Sequence, residues 1–312
     1  MTSSAAGYAL VVPINLLWIQ SAPVVTFGRI DARALKSRPF LHEALREAVP
    51  VGLAPLDELP EQAPSVSIAG AIFHMSRCGS TLLCRQFAAL KRVAVLSEPF
   101  SFQQLLEGPS GPDALLARRL RKLAAAWAGS VSPIADHLVI KWPLCLSHRA
   151  SEVAEALSTS PMIFLHRDPV EVMASIERES LGRLRNVRDD YLLDEDVRAR
   201  PSDSVRLCAS MIGKACRRVS EASTLRTLNY NLLPGAAWES LAPHFGFRLT
   251  PPDRAAMMEA ARAPSKTSRL NTVFQSDGQT KRGEISDAGR DYAERLIRPE
   301  LDHALGRLRK LA

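Results

Sequence analysis

A short polar loop lies inside the segment Phe73–Phe87, FHMSRCGSTLLCRQF, between an apolar run and a helical pattern. Its centre, Arg77–Thr81, combines a guanidinium, a glycine and two hydroxyl side chains. Unpaired backbone N–H groups and the dipole of the following helix attract an anion at such a position. The loop lacks the Gly-Lys-Ser/Thr ending of nucleoside triphosphatases. It therefore predicts an anion site of another kind, or only a helix capped by Ser80.

A second polar segment, Leu165–Ser175 (LHRDPVEVMAS), follows another apolar run. Arg167 would end a strand, and Ser175 would lie eight residues later in a helix that has Asp168 as its cap and Pro169 as its first residue. The letters HRD also occur in the kinase catalytic loop, but the asparagine required five residues after the aspartate is absent. The arginine and the serine could face one phosphate, or the segment could be purely structural.

Strands and helices alternate around these two segments. Strands are predicted at Val66–Met75, Arg92–Glu98, His137–Pro143, Pro161–Arg167 and Thr224–Leu233. Helices are predicted at Thr81–Leu90, Asp113–Gly129, Ser151–Leu157, Pro169–Ser180, Ser204–Ala222, near Ala236–Phe245 and from about Ala288 to Leu311. Short, continuously apolar strands of this kind indicate an α/β fold with a parallel sheet covered by helices on both faces. Ligands bind beyond the carboxyl ends of such strands, which is where both polar segments lie.

The organisation of the chain is indicated by two changes in composition. A break rich in proline and acidic residues, Leu53–Ser65, separates an N-terminal extension (1–60), expected to pack on the core, from an α/β domain (61–312). The polar stretch Leu181–Asp203 predicts a mobile insertion that could cover the site. The first 28 residues carry no charge, but Pro13 and Asn15 interrupt their apolar run, so we expect a strand or packing arm and neither a signal peptide nor a membrane span.

The overall composition limits the partners. The chain has 40 basic and 33 acidic residues, and its excess of arginine suits an anionic ligand or reflects a coding bias. Aromatic residues make up only 6% and no basic run occurs, so neither nucleic acid nor a membrane is an expected partner. The five cysteines form no Cys-x-x-Cys motif, which argues against a zinc cluster and fits a reducing, cytoplasmic location. The sequence leaves a homo-oligomer open.

Taken together, the segments RCGSTLL and RDPVEVMAS resemble the two nucleotide-binding motifs of sulfotransferases that use 3′-phosphoadenosine-5′-phosphosulfate (PAPS). The residues of these motifs are most similar to those of tyrosylprotein sulfotransferase-like and bacterial sulfotransferases. The resemblance spans roughly Val66 to Arg307 and implies the P-loop nucleotide-binding fold of that family. It also implies PAPS as the sulfuryl donor and no metal ion.

The resemblance implies roles for individual residues. The first motif would hold the 5′-phosphosulfate through Arg77, Cys78, Gly79, Ser80 and Thr81. The second motif would hold the 3′-phosphate through Arg167 and Ser175. Tyr230 matches the tyrosine of the family's pattern, while Asn231 stands where that pattern has glutamate. A late loop, Ser268–Gly283, would close over the nucleotide and contribute Ser276, Lys281 and Arg282.

Sulfuryl transfer makes specific chemical demands. The transferred group carries less negative charge than a γ-phosphoryl group, so fixed cations and backbone N–H groups can replace Mg²⁺. Arg77 and Lys141 are the candidates to stabilise charge on the departing oxygen. The acceptor also needs a base. Glu98, which by resemblance matches the family's base, is favoured over His148, whereas His74 is expected to pack inside its strand.

The sequence therefore predicts an enzyme that moves a sulfuryl group from PAPS to a hydroxyl or amine of a small molecule, glycan or peptide. Cys78 is expected to offer mainly its backbone N–H, although a thiol of lowered pKa beside a helix N-terminus is an alternative. Two other functions stay open: a P-loop phosphotransferase or nucleotide hydrolase, and a non-catalytic nucleotide-binding protein on the same fold.

Overall fold

The structure, a computed structural model, describes residues 9–37, 41–62, 66–109, 113–178, 187–199, 201–262 and 278–311. The strands in this part of the chain are β1 (Ala9–Ile19), β2 (Ala22–Asp31), β3 (Val49–Pro55), β4 (Ser67–His74), β5 (Val93–Ser97), β6 (His137–Lys141), β7 (Met162–His166), β8 (Arg226–Asn229) and β9 (Arg309–Lys310). Six of them form a wholly parallel sheet in the order β5-β6-β4-β7-β8-β9.

Helices flank this sheet and connect its strands. They are α1 (Ala32–Ser37), α2 (Leu41–Leu45), α3 (Ser80–Ala88), α4 (Phe100–Glu107), α5 (Asp113–Val131), α6 (Ala150–Ala156), α7 (Pro169–Arg178), α8 (Asp194–Ala199), α9 (Ser204–Val219), α10 (Ala242–His244), α11 (Pro251–Arg262), α12 (Gly278–Glu284), α13 (Asp287–Tyr292) and α14 (Arg298–Arg307). The predicted parallel α/β architecture is confirmed. Within the described residues, no helix combines the length and the apolar character that a membrane crossing requires.

The last strand was not predicted from the sequence. The pattern from about Ala288 to Leu311 predicted one helix, but α14 ends at Arg307 and Leu308 is extended. Arg309 and Lys310 then pair with β8, and Leu311 N–H donates to the carbonyl of Thr227. Two residues are too few for a periodic signal, so only the neighbouring strand makes this segment a strand.

The N-terminal region forms a separate antiparallel sheet, β1-β2-β3. Gln20 and Ser21 join β1 to β2 with φ values of 48° and 65°, as a tight hairpin with two left-handed central residues requires. The sheet packs against α4 and α5. Backbone N–H of Leu16 donates to Gln104 Oε1 over 2.8 Å, and Trp18 Nε1 donates to Gln104 O over 3.0 Å. The boundary near residue 60 stays a prediction.

Three aromatic side chains anchor the elements that carry the site. Phe73 in β4 stacks on Trp142 with ring centroids 5.8 Å apart, and Phe102 in α4 meets Trp142 edge-on at 5.0 Å. All three are fully buried. Phe73 directly precedes His74, and Trp142 directly follows Lys141. Buried aromatic packing therefore limits the movement of the strand ends that bear these two residues.

Two predicted loops are only partly described. In the insertion predicted near 181–203, Asp189–Tyr191 form a 3₁₀ turn and α8 follows, whereas 181–186 and 200 lie outside the described residues. In the predicted nucleotide-closing loop Ser268–Gly283, α12 begins at Gly278, and residues 268–277, including Ser276, lie outside the described residues.

Candidate active site

The loop Ser76–Thr81, which contains the predicted anion site and is called the phosphate loop below, has an unusual backbone. Ser76, Arg77 and Gly79 all adopt left-handed conformations, with φ values of 67°, 46° and 84°. Successive residues of this kind turn their N–H groups toward one side of the loop. The helix α3 begins at Ser80, and Gly79 at its N-terminal boundary makes no side-chain cap. Ser80 is therefore a helical residue and is not the cap that the purely structural interpretation required.

Gly79 is required by both its conformation and its surroundings. Its φ of +84° favours glycine, and a Cβ atom at this position would lie 2.9 Å from Tyr230 Cδ2 and 3.0 Å from Leu233 Cδ1. The ring of Tyr230 thus packs directly on the loop. Tyr230 itself starts a 3₁₀ turn after β8, capped by Asn229, whose side chain accepts the N–H of Asn231.

Arg167 lies beside this loop, as the prediction of a shared site requires. Its side chain is only 3% exposed, and its guanidinium lies 4.1 Å from the centroid of the Tyr230 ring. Nη1 of Arg167 donates to the carbonyl of Arg77 over 3.4 Å. A cation at the end of β7 is therefore held against the phosphate loop by an aromatic face and by the loop backbone.

The carboxylate of Glu171 joins two predicted cations and was missed by sequence reasoning. Oε2 of Glu171 accepts from Arg167 Nε over 2.8 Å, and its Oε1 accepts from Arg282 Nε over 3.1 Å. Glu171 lies four residues after Arg167, a spacing that brings two side chains together on a helical turn. That spacing was the available signal. Glu171 therefore orients Arg167 and draws Arg282 toward α7.

The remaining second-motif residues occupy one side of α7. Asp168 accepts the N–H of Val170 over 2.9 Å at the start of the helix, and Ser175 is buried two turns later. Lys281 is buried in α12, which packs against α7. Arg282, by contrast, has a side chain that is 55% exposed. Arg282 is thus linked to Arg167 through the carboxylate of Glu171, which both guanidinium groups contact.

Three charged or titratable residues from three strand ends meet next to the loop. Lys141 Nζ lies 2.6 Å from Glu98 Oε1, and His74 Nε2 lies 3.6 Å from the same oxygen. The Lys141 side chain is 1% exposed and that of His74 is 5% exposed, whereas Glu98 is 34% exposed. Glu98 thus has the most exposed side chain of the three.

The electrostatics of this group keep the carboxylate ionised. Removal from solvent works to raise the pKa of Glu98, but the Lys141 ammonium and the contact with His74 outweigh it and hold that pKa well below its usual range. Burial works to lower the pKa of Lys141, and the Glu98 carboxylate outweighs it and raises that pKa. The two residues form a charged pair at neutral pH.

Glu98 has an unusual backbone conformation for a residue with a side chain. Its φ is 58°, and its N–H donates to the carbonyl of Lys141 over 2.8 Å. Left-handed non-glycine residues are uncommon and often occur at functional sites. His74 is buried at the end of its strand, as expected, and its ring also lies near Glu98 and accepts the N–H of Ser76.

The second candidate base, His148, lies in a different environment. It is buried in the 3₁₀ segment Leu144–Arg149, and its Nδ1 is 2.6 Å from the carbonyl of Cys145. Its Nε2 lies 3.8 Å from Asp190 Oδ2, and its ring is next to Tyr191. Burial lowers the pKa of His148 to about 4. These contacts hold the ring toward the segment around Asp190 and Tyr191.

Cys78 is buried in the loop, and its thiol donates to the carbonyl of Leu165 over 3.4 Å. Burial raises the pKa of this thiol to about 11. The alternative of a reactive thiol with a lowered pKa is therefore wrong. Its small side chain packs under the loop, which is the arrangement expected of a residue that offers its backbone N–H.

Comparison with solved structures returned sulfotransferases. A sulfotransferase from Mycobacterium avium matches 78% of this chain and 78% of its own, with 12% identity and a TM-score of 0.43. The sulfotransferase domain of the Synechococcus olefin synthase matches 79% of this chain and 96% of its own, with 16% identity and a TM-score of 0.41. A sulfotransferase from Alicyclobacillus acidocaldarius matches 77% and 94%, with 10% identity and a TM-score of 0.42.

Each of these three neighbours is described as a sulfotransferase or a sulfotransferase domain. No protein-family model and no curated protein sequence matched this chain.

Proposed function

We propose that this protein is a sulfotransferase that moves a sulfuryl group from PAPS to a hydroxyl or amine of an acceptor. One observation carries the proposal. A partly exposed carboxylate is paired with a buried ammonium 2.6 Å away, immediately beside a left-handed loop suited to phosphate. Proton removal and charge stabilisation would then occur next to the anion that is being cleaved.

The residues present fit a nucleotide with phosphates at both ends. The backbone of Ser76–Thr81 and the side chain of Arg77 would hold the 5′-phosphosulfate. Arg167, Ser175 and the cations of α12 would hold the 3′-phosphate. Because Gly79 has no Cβ, the ring of Tyr230 can pack against the loop backbone on that side. When bound, PAPS would supply an activated sulfuryl group on a phosphate that can leave.

The chain's own residues would divide the work of the transfer. Glu98, ionised in the resting protein, would take the proton of the acceptor as the acceptor attacks sulfur. Negative charge that develops on the departing oxygen would draw Lys141 away from Glu98, which makes the carboxylate a stronger base as the proton moves. The Lys141 ammonium is then available to stabilise the charge that develops on the departing oxygen. The Glu98–Lys141 pair thus links proton removal to leaving-group stabilisation without a change in the number of charges in the site.

The test starts with nucleotide binding. We expect isothermal titration calorimetry to show that 3′-phosphoadenosine-5′-phosphate (PAP) binds at least tenfold more tightly than ATP, with or without Mg²⁺. The reason is that Arg167 and Ser175 provide a second phosphate site, whereas the loop has no lysine for a γ-phosphate. Tighter binding of ATP with Mg²⁺ would favour the phosphotransferase or hydrolase alternative.

Transfer is then measured with radiolabelled PAPS and a panel of phenols, alcohols and amines. We expect label to pass to at least one hydroxyl or amine acceptor in the absence of divalent metal. A protein that binds PAP but transfers to none of the panel, and does not exchange sulfate between PAP and an aryl sulfate, would be the non-catalytic nucleotide-binding protein.

A further inference from the structure

The ring of His74 lies between the phosphate loop and the carboxylate of Glu98. Its Nδ1 accepts the backbone N–H of Ser76 over 3.0 Å, and its Nε2 lies 3.6 Å from Glu98 Oε1. A nitrogen that accepts a hydrogen bond from an amide carries no proton, so the neutral ring has its proton on Nε2. That N–H faces the carboxylate of Glu98.

We propose that His74 is a positioning residue that couples the shape of the phosphate loop to the orientation of the base Glu98. The proposal deepens the function proposed above and rests on it for the role of Glu98. His74 does not touch the reacting atoms. It acts through Ser76 on one side and through Glu98 on the other.

On the loop side, the hydrogen bond supports a backbone that is otherwise unfavourable. Ser76 and Arg77 are consecutive non-glycine residues with positive φ, a backbone conformation that is unfavourable for residues with a side chain. The Ser76 N–H is satisfied by the ring of His74, and the side chain of His74 is buried. An unsatisfied N–H at this position would make the left-handed turn less stable. The ring therefore helps to preserve the anion-binding form of the loop.

On the base side, the ring limits which carboxylate oxygen can act. Both Lys141 and His74 contact Oε1 of Glu98. The other oxygen, Oε2, is then the one that remains to take the proton of the acceptor. Once Lys141 turns to the departing oxygen, the Nε2–H of His74 is the contact that keeps the carboxyl group oriented. At 3.6 Å the Nε2–Oε1 separation is longer than a hydrogen bond, so the interaction is a close electrostatic contact.

Two substitutions of His74 separate its contact with Ser76 from its contact with Glu98. In His74→Asn, the amide oxygen occupies roughly the place of Nδ1 and accepts from Ser76, but the side chain is too short to reach Glu98. In His74→Gln, the amide reaches toward the place of Nε2, and Ser76 N–H loses its acceptor. His137→Asn is the matched control, because His137 lies at the opposite end of β6, where its Nδ1 contacts Ser67 Oγ.

We expect the two variants to affect different measurements. His74→Gln should weaken PAP binding about tenfold by calorimetry, whereas His74→Asn should bind PAP within about threefold of the parent protein. His74→Asn should lower kcat about tenfold or more, with the acidic limb of its pH profile moved to higher pH. The direction follows because His74 helps to lower the pKa of Glu98, so that its loss raises that pKa. The control should resemble the parent in all three measurements.

The coupling of His74 to Glu98 can also be measured without a sulfuryl acceptor, so this test does not depend on the proposed reaction. In protein labelled with ¹⁵N-histidine, NMR should show His74 protonated at Nε2 and unprotonated at Nδ1. Glu98→Gln should shift the Nε2 signal, and His137 should not respond. A proton on Nδ1, an unchanged Nε2 signal or an unchanged pH limb in His74→Asn would overturn the coupling. If the proposed function alone is wrong, PAP binding and transfer fail while the NMR coupling of His74 to Glu98 persists.

Discussion

At the scale of single residues, the ionisation of Glu98 decides what this site can do. The Lys141 ammonium and His74 keep the carboxylate charged, so it is ready to accept a proton at neutral pH. A carboxylate of very low pKa is a weak base while its partners remain in place. Movement of Lys141 away from Glu98 removes a stabilising charge and makes the carboxylate a stronger base. The pair therefore delays strong basicity until a nearby negative charge competes for Lys141.

Replacement of Glu98 tests this role directly. We expect Glu98→Gln to lower kcat by about 10²–10⁴-fold with the best acceptor of the panel, the usual contribution of a general base. PAP affinity should stay within about threefold, because the loop and Arg167 are unchanged. Initial rates and calorimetry on the same preparation separate the two effects.

A carboxylate on α7 provides the matched control for this substitution. Glu177 accepts hydrogen bonds from Ser286 N and Oγ, away from the phosphate loop. Glu177→Gln should retain the parent's kcat. Near-parent kcat in Glu98→Gln would exclude Glu98 as the base.

At the scale of elements, the loop between β4 and α3 is the part of the fold that depends most on one residue type. Gly79 has a positive φ and also stands against the ring of Tyr230. That ring in turn packs on Arg167, so one glycine affects the distance between the two segments proposed to hold phosphate. A substitution of Gly79 should therefore lower the affinity for PAP by more than its effect on the stability of the protein would explain.

A second glycine of the chain allows that prediction to be controlled. Gly246 has a φ of +80°, close to that of Gly79, but a Cβ there would meet nothing within 4 Å. Both Gly79→Ala and Gly246→Ala should lose on the order of 1 kcal/mol of stability from backbone strain. Only Gly79→Ala should also lose PAP affinity, by about tenfold or more, because its methyl group displaces Tyr230. Equal PAP affinity in the two variants would contradict this account of the loop.

At the scale of the whole molecule, two buried histidines link stability to pH. Burial lowers the pKa of His148 and of His166 to about 4, against an ordinary value of 6.5. The unfolded chain therefore binds protons below pH 6.5 that the folded protein does not bind until about pH 4. The stabilisation that these two neutral histidines contribute is fully present above pH 6.5. It is lost as the pH falls from 6.5 to about 4.

We expect the free energy of unfolding, measured with denaturant, to decrease from pH 7 to pH 5. Each histidine contributes at most about 1.4 kcal/mol per pH unit. The double variant His148→Gln/His166→Gln should show a shallower decrease. His303→Gln, at an exposed position, serves as the control. A double variant with the slope of the parent would show that other groups, chiefly carboxylates, control the acid sensitivity.

Local features of the chain were predictable because they depend on near neighbours in sequence. Continuous apolar runs predicted five of the six strands of the parallel sheet, and Asp168 followed by Pro169 predicted the start of α7. The spacing of small, hydroxyl and cationic residues also led to the prediction of two phosphate-binding segments, which the structure brings together through the contacts of Arg167 with Tyr230 and with the carbonyl of Arg77. These signals arise from strand pleating, helix caps and turn geometry, each of which involves only a few consecutive residues. The residue types by themselves therefore determined the class of fold and where an anion could bind.

Contacts between distant segments were decided by the tertiary structure alone. His74 looked like one more residue of an apolar strand, and only the parallel order β5-β6-β4 brings it to Glu98 and Lys141. The same is true of β9, which is a strand only because β8 lies beside it. Register between strands and the burial of charge depend on the packing of the whole core, for which no short stretch of sequence carries a signal. The sequence thus determined which residues could take part in the site. The fold decided that His74, Glu98 and Lys141 lie close enough to interact.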